Sequence, residues 1–344
     1  MMRLPWFAFH SPKTVAEAAR ILAGEGPRAM LIAGGTDLLP NMKRRHQTPS
    51  TLVSLRHVEA IERVTNGSGL SLGAGLTLSQ VVANAAIRGS RAGLWQAAAQ
   101  VATVHLRNRG TLGGNLCLDT RCNYYNQNYE WRKAIDFCLK KDGETCWVAT
   151  ASKRCVATSS TDCAPALISL GATVRLVSVQ GEREVALADL YRNDGIDYLS
   201  RRADEILTEV KLPAAEGWKS SYWKLRRRGS FDFPVLGVAA AVKAARDGTV
   251  EEARIALGAV SSRPLLTKAG ELLAGRKLTD DAIAEAGAKA ASAAKPMDNT
   301  DLDLYWRKDV VSEFVGYALR ELRGDDMSAT RVRTARHDLC GVDS

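Results

Sequence analysis

The chain has 344 residues, of which 46% are hydrophobic, and a formal net charge of +9. This length suits two domains, or one large domain with a smaller one, and the apolar fraction allows a core that needs no disulfides. No apolar run approaches the roughly 20 residues of a membrane-spanning helix, and the N-terminal residues lack the pattern of a secretory signal. No basic run is interleaved with aromatic residues in a way that would favour nucleic-acid binding. We therefore expect a cytoplasmic protein that binds neither a membrane nor nucleic acid.

The N-terminal elements are predicted to alternate between helix and strand. Thr14 and Glu17 form a capping-box pattern that starts a helix. The apolar residues 30–33 predict a short buried strand, which Gly34 and Gly35 end. The next predicted elements are strands at 52–55 and 70–73 and helices at 78–87 and 93–102.

Two glycine-rich segments resemble phosphate-binding loops. Residues 33–37 read Ala-Gly-Gly-Thr-Asp directly after the first predicted strand, and residues 111–115 read Thr-Leu-Gly-Gly-Asn. Glycine lets backbone N–H groups approach a diphosphate, and Thr111 and Asn115 can bond to phosphate or to a cofactor carbonyl. Neither segment matches the Walker A or Rossmann pattern, and each alone is also compatible with a plain turn. Together they favour an extended dinucleotide cofactor.

Residues 116–157 break the regular pattern and hold five of the seven cysteines. The segment is polar and aromatic with little periodicity, so we interpret it as an insertion ordered by something other than a core. In a chain expected in a reducing compartment, such cysteines favour metal or redox chemistry over disulfides. Cys117 at its start, and Cys163 beyond its end, are interpreted as small buried residues.

The other four cysteines of this insertion are candidate metal ligands. They are Cys122, Cys138, Cys146 and Cys155. Fifteen, seven and eight residues separate them, whereas a zinc ribbon has closely spaced pairs. The insertion has no histidine, which excludes a mixed Cys/His zinc site from this segment alone. Free buried thiols, a 4Fe–4S cluster and a zinc site remain open alternatives.

The second half of the chain changes in character after about residue 215. Three strands that suit an antiparallel meander are predicted at 222–226, 236–244 and 253–260, and helices at 265–274, 280–293 and 302–322. We divide the chain into residues 1–215 with the 116–157 insertion, residues 216–325, and a polar tail, 326–344. No nucleophile elbow, triad or pair of carboxylates is found. No catalytic residue is therefore assigned, and any chemistry would belong to cofactors.

These motifs together resemble the FAD-binding medium subunits of the xanthine dehydrogenase family of molybdenum hydroxylases. The resemblance covers roughly residues 5–325 and includes Asp-Cys-Ala-Pro-Ala-Leu at 162–167 and Tyr-Trp-Lys-Leu-Arg at 222–226. The insertion, with Asn-Leu-Cys-Leu-Asp-Thr-Arg-Cys at 115–122, is similar to the β subunits of 4-hydroxybenzoyl-CoA reductases. That branch has an additional loop that carries a 4Fe–4S cluster.

The resemblance implies a fold and a set of site residues. The implied α+β fold has an FAD-binding domain of two α/β subdomains, of the vanillyl-alcohol oxidase (PCMH) type. A C-terminal domain with a three-stranded antiparallel sheet and helices follows. FAD would contact Ile32, Ala33, Gly34, Gly35, Thr36, Asp37, Leu38, Thr111, Gly113, Gly114, Asn115, Asp162, Leu207 and Lys224. The 4Fe–4S cluster would be ligated by Cys122, Cys138, Cys146 and Cys155.

The implied function is an electron relay. Electrons from ferredoxin would pass through the 4Fe–4S cluster and FAD to two 2Fe–2S clusters on a small subunit. They would then reach a molybdenum cofactor on a large subunit, where 4-hydroxybenzoyl-CoA is dehydroxylated to benzoyl-CoA. The assembly would be a dimer of heterotrimers. The alternative within the family is a medium subunit of a xanthine-, aldehyde- or CO-type dehydrogenase.

Two alternatives belong to other classes of protein. The first is a non-catalytic binding protein in which zinc holds the cysteines and the glycine-rich segments are plain turns. The second is a stand-alone flavin oxidase of the vanillyl-alcohol oxidase type, although no segment suits a substrate-binding cap.

Overall fold

The first subdomain is a small parallel sheet covered by one helix. The computed structural model describes residues 3–229 and 231–334. The first elements are β1 (Ala8–His10), α1 (Val15–Glu25), β2 (Ala29–Ile32), α2 (Leu38–Lys43) and β3 (Thr51–Ser54). The strand order is β1-β3-β2, with both pairs parallel. Thr14 caps α1 by accepting a hydrogen bond from the Glu17 N–H at 3.1 Å, which confirms the predicted helix start.

The second subdomain is an antiparallel sheet packed against short helices. It begins with β4 (Val64–Asn66), β5 (Leu70–Gly73), α3 (Leu78–Ala83), α4 (Ala85–Ser90), α5 (Ala92–Ala99), α6 (Val104–Arg107) and α7 (Leu112–Leu116). After the insertion, which contains α8 (Tyr129–Ala134), come α9 (Cys163–Ser169), β6 (Thr173–Ser178), β7 (Gly181–Ala186) and β8 (Ile206–Leu212). The strand order is β4-β5-β8-β6-β7. Because α9 follows the insertion directly, the insertion begins and ends beside the core of this subdomain.

The single helix predicted at 78–87 is two helices. Asn84 takes an extended backbone conformation between α3 and α4, and its side chain accepts a hydrogen bond from the Ile87 N–H at 3.1 Å. An asparagine that caps a second helix in this way ends the first one.

The C-terminal domain is an antiparallel sheet covered by two long helices. Its elements are β9 (Trp218–Leu225), β10 (Leu236–Ala244), β11 (Val250–Gly258), β12 (Leu265–Thr267), α10 (Asp280–Ala293), α11 (Leu304–Arg323) and α12 (Ser328–Thr334). The predicted helix at 265–274 is wrong, because residues 265–267 pair with β11 and only residues 270–273 form a 3-10 turn. The sheet therefore has a short fourth strand at its edge, in the order β12-β11-β10-β9. No described helix is both long enough and apolar enough to cross a membrane.

The segment interpreted as a polar tail begins with structure rather than with loose chain. Arg331 of α12 is almost fully buried, and its guanidinium lies 3.9 Å from the centroid of the Trp223 ring. The same guanidinium donates to the Glu321 carboxylate at 2.8 Å and to the Tyr222 carbonyl at 3.1 Å. These contacts fix α12 on the outer strand β9. Residues 335–344, with the remainder of the predicted tail, lie outside the described residues.

Replacing Arg331 with methionine is expected to lower the free energy of unfolding by about 1.5–3 kcal/mol, the range for hydrogen bonds to charged groups. Methionine keeps the contact with the Trp223 ring but removes the donors to Glu321 and Tyr222. Urea unfolding of the purified chain measures the change. Arg333→Met on the exposed side of α12 is the control and should leave the midpoint unchanged. Equal midpoints for both variants would contradict the anchoring role of Arg331.

Candidate functional site

A cavity of about 860 Å³ opens where both N-terminal subdomains meet the loop that joins β9 to β10. Its wall contains all of the predicted FAD-contacting residues except Lys224. They are Ile32, Ala33, Gly34, Gly35, Thr36, Asp37, Leu38, Thr111, Gly113, Gly114, Asn115, Asp162 and Leu207. The fold therefore brings together two glycine-rich segments that lie far apart in the sequence.

The first glycine-rich segment supplies unpaired backbone donors to this cavity. A Cβ at Gly34 would lie 2.0 Å from the Arg109 carbonyl oxygen, so the first segment packs on the backbone just before the second only because residue 34 is glycine. Gly35 has a φ of +71°, which glycine adopts without strain. The N–H groups of residues 34–37 donate no hydrogen bond to the described part of the chain. Unpaired N–H groups on a cavity wall can bind an anionic ligand such as a diphosphate.

Replacing Gly34 with alanine is expected to lower the free energy of unfolding by about 1–3 kcal/mol, because the backbone at Arg109 must move. We also expect FAD affinity to fall by roughly tenfold or more, since the N–H groups of the segment shift with it. Gly24→Ala is the control: nothing lies within 4 Å of the new Cβ, and alanine in α1 should stabilise by about 0.5–1 kcal/mol. FAD titration and urea unfolding of both variants provide the test. Unchanged FAD affinity in Gly34→Ala would show that this contact does not shape the site.

The second glycine-rich segment forms the first turn of α7. The Thr111 hydroxyl accepts a hydrogen bond from the Gly114 N–H at 3.0 Å and caps the helix. The Gly113 N–H donates to the Ala74 carbonyl at 2.8 Å. These glycine N–H groups are therefore already bonded within the protein. This segment therefore differs from the first, which has unpaired N–H groups. It can offer a cofactor the hydroxyl proton of Thr111 and a backbone that the cofactor can approach closely.

Asn115 connects α7 to the start of α9. Its side-chain oxygen accepts hydrogen bonds from the Thr161 hydroxyl at 2.7 Å and from the Cys163 N–H at 3.1 Å. Its side-chain nitrogen makes no hydrogen bond with the described residues. Because Asn115 lines the cavity, that nitrogen is the donor it can offer to a cofactor.

The floor of the cavity is formed by Asp162, one member of a buried ion pair. Asp162 lines the cavity and accepts hydrogen bonds from the Tyr222 hydroxyl at 2.7 Å and from Lys224 Nζ at 3.0 Å. Lys224 lies behind Asp162, not on the cavity wall, and also donates to the Gln100 carbonyl at 3.0 Å. Burial raises the pKa of Asp162 and lowers the pKa of Lys224, and each charge opposes the shift in its partner. Lys224, which the resemblance assigns to the flavin site, thus meets the cavity wall through Asp162.

Arg121 is a cavity residue that the sequence analysis missed. Its guanidinium is paired with the Asp37 carboxylate, donates to the Asn41 side chain at 3.1 Å and lies 4.9 Å from the Phe233 ring centroid. Its backbone pairs with Thr158 in both directions, at 2.8 and 2.7 Å. The residue after it is a candidate ligand cysteine. Arg121 thereby joins the first glycine-rich segment to the two ends of the insertion, and only its position before Cys122 could have indicated this.

The four candidate cysteines converge in the insertion. All four are buried, and Cys122, Cys138 and Cys155 pack in one cluster with Tyr125. Cys122 lies close enough to Cys138 and Cys155 for their charges to interact, as does Cys146 to Cys155. Burial raises the pKa of Cys122 to about 12 and that of Cys155 to about 11, with the Lys140 charge opposing the rise at Cys155. The fold therefore packs Cys122, Cys138 and Cys155 in one buried cluster, and Cys146 is buried near enough to Cys155 for their charges to interact.

The described residues show no preformed site for a single metal ion. Within residues 3–229 and 231–334, no group of three or more histidine, cysteine, aspartate or glutamate side chains is arranged to hold one ion. Arg132 in the same insertion is fully buried, and its Nε and Nη2 have no hydrogen-bond partner in the described part of the chain. Arg132 Nη1 reaches the Asp142 carboxylate at 3.5 Å. The other two donors of this buried cation therefore suit a negatively charged group bound in the insertion.

Two family models together match almost the entire chain. Residues 5–215 match the FAD-binding domain in molybdopterin dehydrogenase. Residues 220–322 match the C-terminal domain of the CO dehydrogenase flavoprotein. The predicted fold class is thereby confirmed, apart from the short fourth strand.

Relatives and solved structures agree with this assignment. The chain is 33% identical to the aldehyde oxidoreductase FAD-binding subunit PaoB of Escherichia coli (strain K12) over 305 residues, 86% of this chain and 92% of the relative. It is 30% identical to the nicotinate dehydrogenase FAD-subunit of Eubacterium barkeri over 279 residues, 79% and 81% of the two chains. Carbon monoxide dehydrogenase from Hydrogenophaga pseudoflava superimposes with a TM-score of 0.76 at 25% identity, covering 93% of this chain and 98% of that one.

The match over residues 5–215 covers more than half of the chain and includes both glycine-rich segments. The same region contributes most of the cavity wall. This chain therefore belongs to the family of FAD-binding medium subunits of molybdenum hydroxylase-type oxidoreductases.

Proposed function

We propose that this chain is an electron-transfer subunit that holds both FAD and a 4Fe–4S cluster. The observation that carries the proposal is the burial of all four candidate cysteines next to the flavin cavity, with Cys122, Cys138 and Cys155 in one packed cluster and Cys146 close to Cys155. Arg121 connects the two sites, since it pairs with Asp37 on the cavity wall and precedes Cys122 in the chain. When bound, FAD can exchange electrons singly or in pairs, while a 4Fe–4S cluster carries single electrons.

The residues of this chain would have distinct tasks at the FAD. The N–H groups of residues 34–37 would bind the diphosphate, and Leu38 and Leu207 would pack on apolar parts of the cofactor. The side chains of Thr111, Asn115 and Asp162 would bond to its polar groups. Lys224 would act through Asp162, because the ion pair at 3.0 Å keeps that carboxylate in place.

The partners of the subunit would be a large subunit with a molybdenum cofactor and a small subunit with two 2Fe–2S clusters, in a dimer of heterotrimers. On the resemblance of the insertion, the complex is a 4-hydroxybenzoyl-CoA reductase that receives electrons from ferredoxin and releases benzoyl-CoA. The resemblance of the insertion, in which all four cysteine positions are present, supports this candidate. The cysteines bear directly on the additional cluster. They bear less directly on the identity of the substrate, because another subunit would bind it.

A second candidate is an aldehyde-oxidising complex of the same architecture. It is favoured by the 33% identity with an aldehyde oxidoreductase FAD-binding subunit along 86% of the chain. In that case electrons would leave the substrate at molybdenum and pass through this chain in the opposite direction. The two candidates share the FAD and the cluster and differ in the substrate and in the direction of electron flow.

The test is anaerobic purification of the chain with its co-purifying subunits, followed by flavin, iron and sulfide analysis of the separated chain. We expect about one FAD and about four irons per chain. FAD without iron from a strictly anaerobic preparation would overturn the cluster, and zinc in its place would overturn the relay. Activity of the whole complex with aldehydes, compared with 4-hydroxybenzoyl-CoA and a reduced ferredoxin, separates the two candidates.

A further inference from the structure

We propose that Lys140 and Asp119 form a buried ion pair that couples the cysteine segment to the flavin cavity, and that the balance of the two charges keeps the reduction potentials of both sites from shifting. The proposal rests on the proposed function, because it concerns the potentials of the two groups assigned there. Lys140 and Asp119 are positioning residues in this scheme, since neither is a ligand to the cluster.

Lys140 lies on the cysteine side of the pair. It occurs between Cys138 and Cys146, and its side chain is only 6% exposed. Its ammonium donates to Asp119 Oδ1 at 2.8 Å, to the Thr120 hydroxyl at 2.7 Å and to the Gly195 carbonyl at 2.6 Å. All three protons of the ammonium are thus used, so the charge is held in one place rather than on a mobile side chain.

Gly195 places this charge next to a candidate ligand. Its N–H donates to the Cys155 carbonyl at 2.9 Å. A Cβ at Gly195 would lie 2.7 Å from Cys155 Sγ, so the glycine backbone packs directly on the sulfur. The carbonyl that accepts from Lys140 therefore belongs to the residue that touches the thiol.

Asp119 lies on the flavin side of the pair. It lines the cavity and is 5% exposed. Its second oxygen, Oδ2, accepts a hydrogen bond from the Tyr125 hydroxyl at 2.9 Å. The Lys140 ammonium also lies 4.8 Å from the Tyr125 ring centroid and 5.5 Å from that of Tyr198, another cavity residue. The ion pair therefore has Lys140 next to the residues that pack on the thiols and Asp119 on the wall of the flavin cavity.

The electrostatic consequence follows from the sign of each charge. A site gains negative charge when it is reduced, so a nearby cation raises its potential and a nearby anion lowers it. With both charges present, the two effects largely cancel. Removal of one charge leaves the other unbalanced in a poorly solvated region, where charges interact more strongly than at the surface.

The experiment is redox titration of the assembled complex, with the cluster followed by low-temperature electron paramagnetic resonance and the flavin by visible absorption. Lys140→Gln should lower the midpoint potential of both sites, and Asp119→Asn should raise it. We expect each change to shift the reduction equilibrium of the cluster about tenfold, which is 59 mV for one electron. The double variant should return close to the unsubstituted protein. Lys141→Gln is the matched control, because that neighbouring lysine is more exposed and pairs with Asp142 at the surface.

Opposite shifts that cancel in the double variant would support the coupling. Unchanged potentials in variants that retain FAD and iron would overturn it and leave the pair a purely structural role. If Lys140→Gln loses the cluster, the Asp119→Asn variant provides the test. A raised midpoint potential in Asp119→Asn supports the proposal, and an unchanged midpoint potential overturns it. If the unsubstituted chain has no cluster, the proposed function fails separately. The flavin midpoint then decides the coupling in the same way, because Asp119 lies on the cavity wall.

Discussion

Cys138→Ser is expected to abolish the iron and sulfide content of the chain while FAD remains bound at about one per chain. Cys138 is buried and packs with Cys122 and Cys155, so its sulfur is central to the thiol group. Serine is nearly isosteric, but its hydroxyl replaces the soft thiolate that iron–sulfur clusters select. The cavity wall is formed by other segments and should keep its shape. Iron, sulfide and flavin analysis of the anaerobically purified variant measures the result.

Cys163→Ala is the matched control for the loss of a thiol. Cys163 is fully buried but lies in the main core, outside the insertion. Its replacement should leave iron and FAD at the level of the unsubstituted chain. Full iron content in Cys138→Ser would show that the ligand set is wrong. Loss of FAD together with iron would show instead that the insertion supports the cavity, through the pairing of Arg121 with Asp37.

Features that depend on neighbouring residues in the chain were predictable from the sequence. The first glycine-rich segment follows a strand because apolar residues 30–33 end at Gly34, and β2 ends at Ile32. The helix at 280–293 begins after Thr279, whose hydroxyl accepts from the Ala282 N–H at 3.3 Å, and its bounds are those predicted. Periodicity and caps act over a few residues, which is the range that a single sequence reports.

Features that depend on distant pairing were not predictable in this way. Leu265 and Leu266 suit a helix locally, but the pairing of residues 265–267 with β11 adds a hydrogen bond from the Thr267 hydroxyl to the Ile255 carbonyl at 3.0 Å. Tertiary context of this kind overrides local preference.

The position of Lys224 depends on distant contacts in the same way. The resemblance placed it at the flavin, whereas its contact with Asp162, sixty-two residues away, holds it behind the wall. Arg121 and Asp119 can be identified as site residues only from the fold, because residues distant in the sequence bring them to the cavity wall.

Asp162→Ala is expected to lower the free energy of unfolding by about 3–5 kcal/mol, the range for a buried ion pair that loses one partner. Lys224 is only 1% exposed, and the Gln100 carbonyl would be its one remaining hydrogen-bond acceptor among the described residues. The variant should also lose FAD, because the cavity floor loses the Asp162 carboxylate and the unpaired Lys224 beneath it disturbs the local packing. Urea unfolding and FAD titration of the purified chain measure the two effects. Glu251→Ala leaves the exposed Lys243 unpaired on the same sheet, and as the control it should not change the unfolding midpoint.

The double variant Asp162→Asn with Lys224→Met separates stability from cofactor binding. Both charges are removed together, so no unpaired ion is left in the core and most of the lost stability should return. The side-chain amide that replaces the carboxylate can still bond to the Tyr222 hydroxyl, which keeps the floor in place. If FAD affinity stays low in this stable protein, the carboxylate itself contacts the cofactor. If affinity returns with stability, Asp162 serves only to neutralise Lys224, and the contact inferred for it at the flavin is wrong.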